Sequence, residues 1–486
     1  MKLGLLRSPL VSLRREALLI DSLVIRLVFV AAIACSFGWG EVYITVTGAS
    51  TKRAQLALGK LHLLSGAGAG RVATSMENQL RENIYYMGLF DLIPRSAFSQ
   101  MDTPGQLDRV KHDDWNVLGA TFVLKLGLRV VGQQLSLEAS LFDIPGQKRV
   151  FGTRFQHSVD QHERVIHALS EEILKHLTGE KGLFFSRIAM VCRVPASRGR
   201  PAGKELFVVG ADGNNLIRLT ADQTITLSPA WSPDGKSIIY TQFDMIRGRQ
   251  MGTVLKLHRL STGKREILSA RDGMNSGGSW SPDGKKIAMT LSFNGRPELY
   301  LVSADGGQPQ PLSRSIQWRR LAGEGFQPSI AGLLFDVEPD WSPDGNRIVF
   351  SSARTGHPMI YIVDVATRVA TQLTFAGQYN ATPAWSPRGD KIVFAAQRTG
   401  EGNFDLYGID PDGNNLQRLT SGDNPSGKRF NNESPSWAPT GRHLAYASNE
   451  GGQYGVYVMN VDGNFQKKIS PPGMDCSMPS WGPPEG

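Results

Sequence analysis

The 486 residues hold no recognisable constellation for covalent catalysis. G-x-S-x-G does not occur, which removes the nucleophile elbow of an α/β-hydrolase. Ser276 precedes Gly277-Gly278, but Met274 stands where the first glycine must be. Gly235-Lys236-Ser237 lacks the upstream glycine of a phosphate loop, because Ala230 is there. His162-Glu163 hints at a metalloprotease helix, yet the next histidine is His167. That spacing turns the two rings about 140° apart, so they cannot share one metal; they read as solvated or helix-edge histidines. Asp410-Pro411-Asp412-Gly413 resembles the start of a calcium loop, but its glycine comes too early and no glutamate closes it. No catalytic residue, metal ligand or cofactor site is expected.

Lysine and arginine form no block, and no aromatic ladder runs between them. The formal charge of +9 is therefore not the stripe of a nucleic-acid binder. Long apolar runs are also scarce. Residues 24–37 form one, broken by Arg26 and too short for a comfortable membrane span. Basic residues precede it and Gly38-Trp39-Gly40 follow it, the layout of an export signal cleaved near Gly40. Arg14-Arg15 leaves a twin-arginine route open, Cys35 a lipoprotein reading, and a start further along the chain is a third alternative. Without residues 1–40 the charge is +6. The expected mature chain begins at Glu41, lies in an oxidising compartment, and keeps two of the three cysteines, Cys192 and Cys476.

What the chain does have is a repeat. WSPDG begins at Trp231, Trp280 and Trp341, WSPRG at Trp385, WAPTG at Trp437 and WGPPE at Trp481, at intervals of 49, 61, 44, 52 and 44 residues. Such a period suits four-stranded propeller blades, which cannot bury their apolar faces alone. A strand follows each of the first five turns. Further on come LFVVGADG, LYLVSADG, LYGIDPDG and VYVMNVDG, alternating strands ending at Asp-Gly turns. A last strand ends in Leu-Thr at residues 219–220, 373–374 and 419–420. Four strands in six units predict a six-bladed β-propeller over residues 181–486. Each indole is expected to pack between adjacent blades while Pro and Gly turn the chain.

The sixth unit stops after its turn at Gly486. Residues 187–193, 206–210 and the strand ending at Thr220 supply what it lacks, so the last blade is built from both ends of the domain. This removes two open sheet edges. If Trp481 faces Arg187 in that pairing, Cys476 faces Cys192, and a disulfide there would fasten the ring. Two buried free thiols are the alternative, since a one-residue slip breaks the geometry.

Residues 41–180 carry no tryptophan repeat. Alternation predicts strands over residues 42–47 and 55–64, then three hairpin-connected strands at 121–131, 135–144 and 148–157. Helical spacing marks residues 72–89, with Gly88 near the end, and residues 160–177, with Gly179 as a stop. Helices on one side of a small mixed or antiparallel sheet make an α+β domain.

Together with FAGQYNATPAWSP, FNNESPSWAP, LTGEKGLFFSRIAMV and GLFDLIPRSAF, these units resemble the TolB family, periplasmic components of the Tol–Pal system. The departures are Arg388, Thr440 and Pro484 in place of the turn aspartate, and an insertion over residues 313–338. The resemblance implies a non-enzymatic, monomeric linker that maintains outer-membrane integrity and constriction at division. Its N-terminal segment, here Glu41, Val42, Tyr43, Ile44, Thr45 and Val46, engages TolA; the alternative for it is an edge strand of the first domain. Its propeller binds the peptidoglycan-associated lipoprotein Pal. The first domain enters beside the tryptophan turns, which leaves the opposite rim for Pal: Arg247, Arg249, Arg296, Arg354, His357, Tyr379, Asn380, Arg398, Asn431, Asn432 and Glu433. Two other readings remain. A propeller accessory to a peptidase needs a further α/β domain with its nucleophile, and a small-ligand propeller would use the central channel.

Overall fold

The computed structural model describes residues 53–485, apart from residues 67–68, 103–105, 198, 200, 247–249, 314–316, 319–334, 398–399, 401, 423–428 and 464. The strand expected over residues 42–47 lies outside them.

The first domain is α+β. Strand β1 (Ala54–Ser65) runs parallel to β2 (Phe90–Leu92) on one side and β3 (Phe122–Val131) on the other. β3, β4 (Gln134–Asp143) and β5 (Lys148–Ser158) follow as an antiparallel meander, giving the order β2-β1-β3-β4-β5. Parallel pairing needs a crossover, and α1 (Gly70–Met87) is the one between β1 and β2. The short β2 and helix α2 (His112–Val117) were not legible in the sequence. Trp115 of α2 packs with Phe98 over the sheet residues Ala57, Val123 and Phe142. Helix α3 (His162–Thr178) lies beside α1, joined through Asn83 Nδ2 donating to Ser170 Oγ at 2.9 Å. Both long helices end on left-handed glycines: α1 on Gly88 at φ 69°, short of the expected end at residue 89, and α3 on the expected stop Gly179 at φ 74°.

The propeller has six four-stranded blades, the third carrying a further short strand, Gln317–Trp318, from the insertion. The inner strands are Thr226–Trp231, Asn275–Trp280, Asp336–Trp341, Tyr379–Trp385, Asn432–Trp437 and Cys476–Pro484. The sixth is completed by β6 (Ser186–Val194), β7 (Gly203–Gly210) and β8 (Ile217–Arg218), so the two ends of the domain do close the ring. The second strand of the first blade runs Ser237–Ile246, longer than expected.

The turn chemistry is explicit. Ser232 Oγ donates to Asp234 Oδ1 at 2.6 Å and accepts from the Ser237 amide at 2.9 Å. Ser281 and Ser342 repeat the arrangement. Where Arg388 replaces the aspartate, Asp390 takes over and accepts from Ser386 Oγ at 2.8 Å. Trp231 is buried between the sixth and first blades with Ala189, Leu206, Val208 and Tyr240. Its indole donates to the Ser480 carbonyl at 3.1 Å; Trp280 reaches Ala230 and Trp437 reaches Ala384 in the same way. Each such ring buries on the order of 150–250 Å² and ties its blade to the preceding one. The Leu-Thr ending has its own use. The hydroxyls of Thr220, Thr374 and Thr420 accept the amides of Leu206, Ile360 and Leu406 at 2.9–3.0 Å, and Ser313 and Ser470 stand in elsewhere.

One register expectation is corrected. Trp481 faces Ile188, not Arg187, while Cys476 does face Cys192. An extra residue between Ser477 and Ser480 absorbs the difference. The same bulge recurs in all six inner strands. Its left-handed residue is Ser228, Gly277, Glu338, Thr382, Ser434 or Met478, at φ 47–57°. The signal was present: proline follows five of these six residues, and proline cannot donate to a strand ladder.

Candidate partner-binding site

The first domain sits against the tryptophan-turn side of the propeller. Tyr86, near the end of α1, is buried against Phe184, Phe465 and His443, with ring centroids 4.8–5.8 Å apart. His443 directly follows the fifth turn. Its Nε2 donates to the Tyr86 carbonyl at 2.6 Å. Burial pushes the imidazole pKa down to about 4, the Tyr86 carbonyl opposes this, and the neighbouring Arg442 adds to it. Arg442 itself pairs with Glu180. His167, expected to be a solvated or helix-edge histidine, is buried at this joint, with Nε2 3.3 Å from Asp212. Burial alone would raise the Asp212 carboxyl, but bonds from His167 and Asn214 hold it below its ordinary range. The link between domains is fixed too, since Glu171 accepts the amides of Gly182 and Phe184, each at 2.6 Å.

The opposite rim faces away from the first domain. It is closed by backbone bonds from link to hairpin: Asp336 to Pro297, Asn380 to Pro358, and Cys476 to Tyr454. Of the residues expected there, Arg247, Arg249 and Arg398 lie outside the described residues. His357 is exposed, and Tyr379 is 40% exposed, edge-on to Phe404. Arg296 and Arg354 are paired, with Glu298 at 2.8 Å and Asp336 at 2.7 Å.

Two expectations are corrected by burial. Asn380 and Asn432 are 1% and 2% exposed, and so offer a partner almost no surface. Asn380 Nδ2 donates to Thr374 Oγ1 at 2.8 Å and to the Ala376 carbonyl at 3.1 Å. Asn432 Nδ2 donates to Asp405 at 3.0 Å. Asn431 is half-buried, bonded to the Phe404 amide and the Tyr454 hydroxyl. Burial pushes the Glu433 carboxyl up, against the bond from Tyr454 and the charge of Lys204. Phe375, not among the residues expected on the rim, is 61% exposed and lies four residues before Tyr379. Its signal was an aromatic placed in a link between blades, where no core position needs one.

The central channel encloses about 500 Å³ and is lined by the inner-strand bulges and their prolines. Its charge is uneven. Of the six bulge residues only Glu338 is ionisable, and of the six residues preceding the tryptophans only Asp340 is. Asp340 accepts from Ser279 Oγ at 2.6 Å and the Trp385 amide at 2.7 Å. Burial still raises its pKa to about 6. Glu338 accepts from the Thr382 amide at 2.7 Å and from Ser351 Oγ at 3.1 Å; burial raises it as well, and Glu433 adds to this.

The family model of the "TolB beta propeller domain" matches residues 174–485. The chain belongs to the TolB family. Likeness to TolB proteins extends over both domains. The "Protein TolB homolog" of Chlorobium luteolum is 31% identical over 442 residues, 90% of this chain and 92% of the relative. The "Tol-Pal system protein TolB" of Bordetella pertussis is 31% identical over 405 residues, 83% of each chain. The crystal structure of TolB from Acinetobacter baumannii superimposes with a TM-score of 0.69 at 25% identity, over 89% of this chain and 97% of that one.

Proposed function

We propose that this TolB-family protein is a non-enzymatic, exported component of the Tol–Pal system that links two partners across the periplasm. A Pal-like lipoprotein docks on the exposed rim around Phe375, Tyr379 and His357. Residues 41–46 engage a TolA-like inner-membrane protein by adding a strand to its sheet, a mode that suits an extended, alternating segment. The observation that carries this reading is the match, over both domains together, to a relative called Tol-Pal system protein TolB and to a TolB crystal structure. The rim adds physical support: it pairs exposed aromatic surface with a polar surround, as docking faces do.

A pull-down from envelope extracts, with the mature chain and with a chain lacking residues 41–46, tests the division of labour. Loss of the TolA-like partner with retention of the Pal-like one is expected. Retention of both by the shortened chain would assign the first contact elsewhere.

A further inference from the structure

Cys192 and Cys476 stand opposite each other in the blade that closes the ring, 284 residues apart, with their sulfurs 2.09 Å apart. Both are 0% exposed. Cys192 is covered on its other side by β7, where its partner Glu205 is also fully buried and accepts from Thr220 and from the Gln223 amide. The C-terminal strand is pinned at the same level: the Arg193 amide donates to the Asp475 carbonyl at 2.8 Å and the Cys476 amide to Tyr454 at 3.0 Å.

Thiol–disulfide exchange requires one sulfur to reach another along the bond being broken. No outside sulfur can do that here while the C-terminal strand is seated. Topology adds an order of events. β6 has no partner on its inner edge until the last residues of the domain arrive, so Cys192 lacks the cover of the C-terminal strand throughout that interval.

We propose that the Cys192–Cys476 bond is installed by an external disulfide donor of the dithiol-oxidase class, acting on the chain before the C-terminal strand seats, and that seating then seals it. The Cys192 thiolate attacks the donor disulfide, forming a mixed disulfide and releasing one donor thiolate. The Cys476 thiolate then attacks the Cys192 sulfur of that mixed disulfide and releases the second donor thiolate. The chain loses two protons and two electrons; the donor takes up the electrons and leaves as a dithiol. The ring is then covalently latched and exchanges with thiols only when the blade opens.

The test uses the purified chain carrying Cys35→Ser, so that every thiol reports on this bond and the outcome is independent of the Tol–Pal reading. The oxidised protein is treated with dithiothreitol across a urea series, with released thiols counted by mass-tag alkylation and folding followed by tryptophan fluorescence. Reduction in native buffer is expected to be at least ~100-fold slower than in urea that unfolds the propeller, because exchange waits for a local opening. Equal rates with unchanged fluorescence would overturn the proposal. In the converse arm, the chain is reduced, refolded and then given oxidised glutathione. The closed reduced chain should oxidise at least ~100-fold more slowly than the unfolded one, and equal rates would again overturn it. Should the reduced chain fail to close, the first arm alone decides.

Discussion

At the residue scale, Asp340 shows how one side chain departs from a repeat. Its equivalents before the other tryptophans are Ala230, Ser279, Ala384, Ser436 and Ser480. Serine at this position bonds the tryptophan amide of the next blade, as Ser436 does for Trp481 at 2.9 Å. Asp340 makes the same bond to Trp385 but brings a carboxyl whose folded pKa of about 6 lies above the ordinary 3.8. The folded state therefore binds this proton more tightly than the unfolded one. Stability from this group is full below about pH 4, falls as pH rises towards 6, and is flat beyond. Asp340→Asn keeps the acceptor and removes the titration. It should raise stability at pH 7.5 by about 1–2 kcal/mol and leave it little changed at pH 4, read by urea unfolding at both values. The amides tell the opposite story. Asn380 and Asn432 look in sequence like exposed loop groups, but an amide can serve a partner or the fold's own backbone, and only the burial of both shows that the fold uses them.

At the scale of elements, the joint between the first domain and the propeller rests on α1, the start of the fifth blade's second strand and the fixed link at residues 179–185. His443 is the residue that makes this joint sensitive to acid. Its folded pKa of about 4 lies below the ordinary 6.5, so its contribution is complete above about pH 6.5 and is lost as pH falls towards 4. This slope is opposite to that of Asp340 in the same window, so variants are needed to separate the two. The parent should lose up to about 3 kcal/mol from His443 over this range. His443→Gln, which retains a donor for the Tyr86 carbonyl, should flatten that part of the profile in thermal unfolding followed from pH 4 to 7. Which rim the first domain meets was legible in sequence, but the contacts that make the joint were not. The helices and their glycine caps were, because periodicity and capping are local, but His443 and Tyr86 are 357 residues apart and nothing local to either foretells the contact.

At the scale of the whole molecule, the first domain occupies one rim of the ring, and the proposed docking face is the other, where Phe375 and Tyr379 are exposed. Exposed aromatics at such a face are expected to dominate binding. Phe375→Ala and Tyr379→Ala should each weaken binding of the Pal-like partner by at least ~10-fold with little change in melting temperature. Asn380→Ala and Asn432→Ala should instead lower propeller stability by about 1–3 kcal/mol, because each leaves buried polar atoms without partners. Calorimetry of partner binding, beside thermal unfolding of the same four variants, checks both halves.

Six tryptophan turns, their spacing and the missing strands of the last unit were enough, read along the chain, to establish the number of blades and the way the ring closes. They could do so because a repeat states its own period and a blade needs neighbours to bury its faces. The buried amides, the raised carboxyl pKa values in the channel and the contacts that seat the first domain belong to the tertiary structure. Each depends on which distant residue arrives alongside, and side-chain burial and pKa take their values from that arrival.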